Sequence, residues 1–301
     1  MKFVPPFSSL SLVLLSGLLL LGGCAPNVGP VSLAHEDLDA AAWIHTSAEY
    51  QAITLALYRG AREKLKEALA DKRWSAIPQQ QDALQNGDRE LDLPPAVIVD
   101  VDETVLNNIA FQARMIQNST EYSVERWKTW VDEASATFVL GAYEFIEACE
   151  AEGVRVFYVT NRTADIERET RRNLEQLGAI DPDDPDDILS KYERDGWTTD
   201  KTTRRNHIAK HFRVLLLIGD DLNDFVWAGD KPTAAERRAK VVAFQPWWGH
   251  KWFLLPNPNY GGWERALYGF DDQLPRSEKL EQKRAALPMP SSGASEQKAA
   301  P

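Results

Sequence analysis

Two aspartates one residue apart, Asp100-Val101-Asp102, stand at the end of an apolar run and are followed by Glu103 and Thr104. Two later runs end in related chemistry. One closes on Thr160-Asn161-Arg162, the other on Gly219-Asp220-Asp221-Leu222-Asn223-Asp224. Carboxylates gathered in one place repel one another, and withdrawing them from water adds to the cost. A hard divalent cation offsets both, since Mg²⁺ takes oxygen ligands, keeps part of its water shell and binds substrate phosphate too. The expected ligands are Asp100, Asp220 and the main-chain oxygen of Asp102, with Asp224 joining directly or through a water.

The alternation Asp100-x-Asp102 separates two tasks. Where a strand ends and the chain begins to curl, both side chains can face one pocket. Asp100, tied to the metal and kept ionised, can attack phosphorus and form an aspartyl-phosphate. Asp102 can protonate the leaving oxygen, then deprotonate the water that hydrolyses the intermediate. Thr160 and the Asn161 amide are the candidate phosphate grips. A lysine is needed against the charge gathered in the transition state. Lys201, in Thr199-Asp200-Lys201-Thr202, is the first choice and Lys191 the rival, because spacing does not separate them.

These residues need elements to hold them. Residues 96–101, 154–160, 214–218 and 241–244 are short apolar runs of strand length, with helical patterns between them. Strands alternating with helices predict an α/β fold, a Rossmann-like, mainly parallel sheet with helices on both faces. Ligands of such sheets bind beyond the carboxyl ends of the strands, where all three clusters fall. Helix-like spacing also runs from about His35 to Trp74, an accessory helical region, whereas 79–92 is polar and reads as loop. The expected division is 1–23 leader, 24–34 tether, 35–92 N-terminal helices, 93–272 phosphatase core and 273–301 polar tail, helical or disordered.

Asp-x-Asp alone is common; the ordered set of three strand ends is not, and it resembles the haloacid-dehalogenase superfamily of phosphotransferases. Ile98-Val99-Asp100-Val101-Asp102-Glu103-Thr104-Val105-Leu106 and Ile218-Gly219-Asp220-Asp221-Leu222-Asn223-Asp224-Phe225 are similar to the paired signatures of class C acid phosphatases. Within these the 5′-nucleotidase, lipoprotein e group is the nearest resemblance. Ser47-Ala48-Glu49-Tyr50, Trp127-Lys128-Thr129-Trp130, Phe157-Tyr158-Val159-Thr160-Asn161-Arg162 and Leu255-Pro256-Asn257-Pro258-Asn259-Tyr260-Gly261-Gly262-Trp263-Glu264 add to it, over about residues 40–270. The resemblance implies a secreted, membrane-tethered, Mg²⁺-dependent phosphomonoesterase acting on nucleoside monophosphates and other small esters. It also implies a helical region in place of a mobile cap, and a homodimer in many members. Aromatic rings grip the base in this group; the matching positions are Phe111, where Tyr is usual, and Tyr260. Two departures bear on substrate preference. Asp221, where an amide or Glu is usual, adds an acid beside the metal, and Arg114 falls where relatives carry an aromatic.

The 301 residues are 44% hydrophobic, enough for one sizeable core. A formal net charge of −11 provides no field for nucleic acid, which is not an expected partner. Lys2 and the apolar stretch Leu10 to Leu21 form a secretory leader, too short for a membrane span. Leu21-Gly22-Gly23-Cys24 resembles a lipobox, making Cys24 the lipidated first residue; an ordinary signal peptide ending near a cysteine is the alternative. Ala25 after it, rather than Asp, directs such a protein to the outer membrane of a Gram-negative source. Cys149 then has no partner and reads as a buried apolar residue. His207 and His211, at i, i+4 without an acid between them, read as packing rather than zinc ligands. The acid run 181–187 reads as a solvated loop. The alternative from another functional class is a surface ligand-binding lipoprotein that keeps a phosphatase scaffold.

Overall fold

The computed structural model describes residues 35–87 and 92–288, so Cys24 and the leader lie outside the described residues. In chain order, the elements begin with α1 (Leu38–Thr46), α2 (Ala48–Ala70), α3 (Pro78–Asn86), β1 (Pro95–Val99), β2 (Leu106–Asn107), α4 (Ile109–Gln117), α5 (Val124–Glu133), β3 (Thr137–Phe138) and α6 (Ala142–Ala151). They continue with β4 (Arg155–Thr163), α7 (Glu167–Leu177), β5 (Ile188–Lys191), α8 (Thr202–Ala209), β6 (Arg213–Gly219), α9 (Ala234–Ala243), β7 (Trp252–Leu254), α10 (Gly262–Arg265) and α11 (Arg276–Ala285). Short 3₁₀ turns intervene, one of them at Leu222–Asp224.

Five strands form one parallel sheet in the order β5-β4-β1-β6-β7. β1 is central. The chain steps from it to β4 and β5 on one side, then crosses back to β6 and β7 on the other. The reversal leaves a crevice beyond the carboxyl ends of β4, β1 and β6, where the three clusters stand. Side chains alternate across this sheet. Val97 and Val99 enter the core beneath α2 and α6, while Ala96 and Ile98 enter the opposite core with Trp197, Ile208 and Trp252. A register shift between β1 and β6, where Ala96 pairs with Val214 but Val97 with Leu216, puts Leu215 and Leu216 in the same core. The Leu215 carbonyl accepts from the Trp74 indole at 2.7 Å.

The N-terminal helices share the sheet's core. Tyr58, Ala61, Leu65 and Ala68 of α2 bury one stripe at helical spacing against it. The C-terminal carbonyls of α2 are met by buried Arg213, whose Nη1 donates to Ala68 and Asp71 at 2.8 Å each. A cation belongs there on electrostatic grounds as well. Between β1 and β4, the two-residue ladder of β2 and β3 closes an insertion carrying α4 and α5.

Two expectations are corrected. Residues 241–244 are not a strand but the end of α9 and its cap. A capping box between Thr233 and Glu236 starts that helix, Ala, Arg and Lys extend it, and Val242 is 72% exposed. A four-residue apolar run cannot distinguish these outcomes. The fourth and fifth strands are β5 and β7. The stretch 79–92 is not all loop, since α3 fills part of it, with Pro78 in its first turn and Gly87 left-handed at φ 77° as its cap. Gln80 holds this helix to the sheet through polar bonds, receiving Val214 N at 3.0 Å and donating to the Ala209 and Phe212 carbonyls. That docking leaves no hydrophobic period in the sequence.

The Tyr58 hydroxyl, fully buried in α2, donates to the Thr104 carbonyl at 2.7 Å and so braces the loop after β1. Tyr58→Phe leaves that carbonyl without its donor and is expected to lower stability by about 1–3 kcal/mol. Val242→Thr, on the exposed face of α9, is expected to stay within about 0.5 kcal/mol. Urea unfolding followed by tryptophan fluorescence measures both.

Candidate active site

β1 delivers Asp100 to the crevice, its amide donating to the Ile218 carbonyl of β6 at 2.9 Å. The chain then curls. Val105 and Leu106 amides both return to the Val101 carbonyl, and Glu103 takes a left-handed φ of 54°. Beyond β6, Asp220 and Asp224 face Asp100, and one carboxylate oxygen from each of the three lies within 4.8 Å of the others. Asp224 folds back over Gly219 so closely that a Cβ at 219 would sit 2.3 Å from its Oδ2, which is why glycine is required there. The Asp221 amide donates to that Oδ2 at 2.9 Å and fixes the carboxylate.

One ammonium faces these three acids. Lys201, at the start of α8, is buried, with Nζ in contact with Asp100 Oδ1 and 2.6 Å from Asp224 Oδ1. Burial works against its charge, but Asp100 and Asp224 outweigh it and hold the amine above its ordinary range. Burial also pushes Asp100 up to about 7, with Asp224 and Asp102 adding repulsion and Lys201 opposing. Asp220 is also raised well above the usual carboxylate range, by burial and then by Asp100 and Asp224; the neutral amide of Asn257, 2.7 Å away, is its hydrogen-bond donor. A set of hard oxygens with more negative charge than its ammonium balances fits a metal cation. Lys191, the rival lysine, lies elsewhere, its Nζ 4.8 Å from the centre of the exposed Tyr192 ring.

Asp102 stands beside this group but is held differently. Its carboxylate receives Arg162 Nη2 at 2.8 Å and Asn108 Nδ2 at 2.9 Å. Thr160 is fully buried within β4, where the pairing with β5 turns irregular after Val159, and its Oγ1 accepts from the Arg162 amide at 3.0 Å. The Asn161 side chain spans to the lysine loop: Nδ2 donates to the Thr199 carbonyl at 3.2 Å and Oδ1 accepts from Arg204 at 2.7 Å. It thereby positions the segment that presents Lys201.

The two aromatic candidates part company. Tyr260 is half-buried, and its hydroxyl donates to Glu103, whose carboxyl burial and the nearby Asp102 push up to about 8. Phe111 is 2% exposed and packs edge-on to Trp127 at 5.2 Å, with Trp130 and Tyr122 around it. Within that cluster Tyr122, 59% exposed, is the ring open to solvent. Arg114 packs on the same cluster, its guanidinium 5.5 Å from the Trp130 ring centre, and pairs with Glu133 through two bonds of 2.6 and 2.9 Å.

Asp221 does not add free charge beside the metal group, as its sequence position suggests. Its Oδ2 accepts from Arg237 at 3.1 Å and from the Gly262 amide at 2.6 Å, anchoring the loop that carries Tyr260. A Cβ on Gly262 would meet the Arg237 guanidinium at 2.3 Å. Arg162, Asn108, Asn257 and Glu103 are the site residues that sequence reasoning did not assign. Arg162 was visible as the third member of Thr-Asn-Arg, and Asn257 as part of Leu-Pro-Asn-Pro-Asn-Tyr; their partners were not. His207 meets His211 edge to ring at 6.0 Å and Trp197 at 5.6 Å, and among the described residues the aspartate triad is the one cluster suited to a metal.

A family model for the haloacid-dehalogenase superfamily, subfamily IIIB (acid phosphatase), matches residues 31–263. Among solved structures, the chain is similar to the class C acid phosphatase from Bacillus anthracis. The TM-score is 0.72 at 29% identity, over 84% of this chain and 97% of that one. The same enzyme with tungstate bound gives 0.72 at 28% identity, over 85% and 98%. The chain belongs to the subfamily IIIB acid phosphatases of the haloacid-dehalogenase superfamily and is a phosphoric monoester hydrolase.

Proposed function

We propose that this phosphatase is Mg²⁺-dependent and hydrolyses small phosphomonoesters, nucleoside monophosphates among them, through an aspartyl-phosphate on Asp100. The observation that carries the reading is the placement of Asp100 at the end of the central strand, in contact with Lys201 and within the acid triad. Bound Mg²⁺, held by Asp100, Asp220, the Asp102 main-chain oxygen and Asp224, supplies Lewis-acid polarisation of a phosphoryl oxygen. Asp100 supplies the attacking carboxylate oxygen. Lys201 favours the charged form of that oxygen against burial and offers a cation to the transferring phosphoryl group. Thr160 and the Asn161 main chain of β4 border the phosphate position, and Tyr260 offers one ring wall to a nucleoside base. Phe111, buried among Tyr122, Trp127 and Trp130, supports these rings from behind rather than facing the substrate. The related Bacillus anthracis enzyme binds tungstate, an oxyanion, which supports an oxyanion-binding reading.

Purified mature protein with Mg²⁺ is expected to release phosphate from a nucleoside monophosphate. Asp100→Asn is expected to lower kcat by at least about 10⁴-fold, as removal of a nucleophile does. Activity of that variant equal to the parent's excludes the covalent route. Metal binding has its own readout: Mg²⁺ is expected to raise the melting temperature of the parent chain, and Asp220→Asn is expected to abolish the rise.

The reading includes a lipid anchor at Cys24, outer-membrane residence and a homodimer. Its support is the sequence Leu21-Gly22-Gly23-Cys24-Ala25 and the family resemblance. No described helix is long and apolar enough to cross a membrane. Metabolic labelling with a fatty acid in a Gram-negative host is expected to mark the full chain and not Cys24→Ser; equal labelling of both excludes the anchor.

A further inference from the structure

Arg162 is a buried charged group, with 2% of its side chain exposed, yet it does not join the acid triad. Its fork closes on Asp102. Nε lies 3.0 Å from Oδ1 and 3.2 Å from Oδ2, and Nη2 lies 2.8 Å from Oδ1. Asn108 Nδ2 adds a third donor to Oδ1 at 2.9 Å. Each of these donors is itself fixed. Arg162 Nη1 donates to Thr170 Oγ1 at 3.1 Å, and that hydroxyl donates to the Ile166 carbonyl. The guanidinium lies 5.3 Å from the Trp127 ring centre. Asn108 Oδ1 accepts from the Trp130 indole at 2.8 Å. Oδ1 is therefore saturated by three donors, while Oδ2 receives one, the longest of the four.

We infer that Arg162, with Asn108, is the positioning residue of Asp102: it saturates Oδ1 and orients Oδ2 as the atom that gives and takes the proton. The inference rests on the acid–base role proposed for Asp102. In the first half-reaction an Asp100 oxygen bonds to phosphorus, the ester P–O bond breaks, and the Oδ2 proton goes to the departing oxygen. In the second, water oxygen bonds to phosphorus, the bond to Asp100 breaks, and the water proton returns to Oδ2. A guanidinium fork suits this task because it fixes the carboxylate plane through two parallel bonds, which an ammonium cannot do. A purely structural bridge between β4 and the loop after β1 would use the same pair without favouring one oxygen.

The two roles separate by leaving group. An alkoxide needs the proton as it departs, whereas 4-nitrophenolate leaves without it. Arg162→Met, in the full chain with Mg²⁺, is expected to lower kcat/KM for glycerol phosphate by about 100-fold. For 4-nitrophenyl phosphate the loss is expected to stay below about 10-fold. Arg162→Lys, which keeps charge without the fork, and Asn108→Ala are expected to show the same asymmetry in weaker form, and they carry the test should the methionine variant fail to fold. Asp102→Asn is expected to show it most strongly, and adding Arg162→Met to Asp102→Asn is expected to cost little more, since positioning has nothing left to act on. Equal losses on both esters in the Arg162 and Asn108 variants, with Asp102→Asn still selective, overturn the positioning role alone. A non-selective Asp102→Asn overturns the acid–base role beneath it.

Discussion

Three carboxylates and one ammonium share the carboxyl end of the central strands, and the rest of the site follows from that imbalance. Lys201 reaches Asp100 and Asp224, while Asp220 receives the neutral amide of Asn257. Burial raises the cost of every uncompensated charge, so the arrangement favours whatever cation completes it. A dication that also binds phosphate turns an electrostatic liability into a binding site for the substrate. The same charges dictate the backbone around them. Gly219 must lack a side chain because Asp224 folds over it, and Asn161 is committed to the loop that delivers Lys201.

A second division follows within the Asp100-x-Asp102 pair. Two residues on one strand end meet opposite environments, one with an ammonium and acids, the other with a guanidinium and an amide. Their separate partners give similar groups dissimilar tasks. The partners come from different parts of the chain: Lys201 from the start of α8, Arg162 from β4, Asn108 from the insertion after β2. The insertion thus supports the catalytic loop, through Asn108 and Trp130, as well as forming a wall of the crevice.

Much of this was legible because chemistry and strand ends coincide in an open sheet. The runs at 96–101, 154–160 and 214–218 are the middle strands, and the residues at their ends meet in space as expected. What stayed hidden has physical reasons. The run at 241–244 satisfies strand and helix equally at that length, and only the capping box at Thr233 decides. α3 docks by glutamine hydrogen bonds, which leave no hydrophobic period. Spacing could not choose between Lys191 and Lys201, since the choice depends on which loop turns inward after β5. Asp221 looked like an added acid until its partners, Arg237 and Gly262, were known. Phe111 matches the base-gripping position of the family resemblance, but the aromatic residues of α5 enclose it.

The central claim is that Asp100 becomes covalently phosphorylated. It is tested most directly by quenching the enzyme during turnover, reducing acyl phosphates with borohydride and locating the modified residue by peptide mass spectrometry. An aspartyl-phosphate is reduced to homoserine, and the account predicts homoserine at position 100, dependent on substrate. Homoserine at another aspartate, or none under conditions of steady turnover, would contradict it.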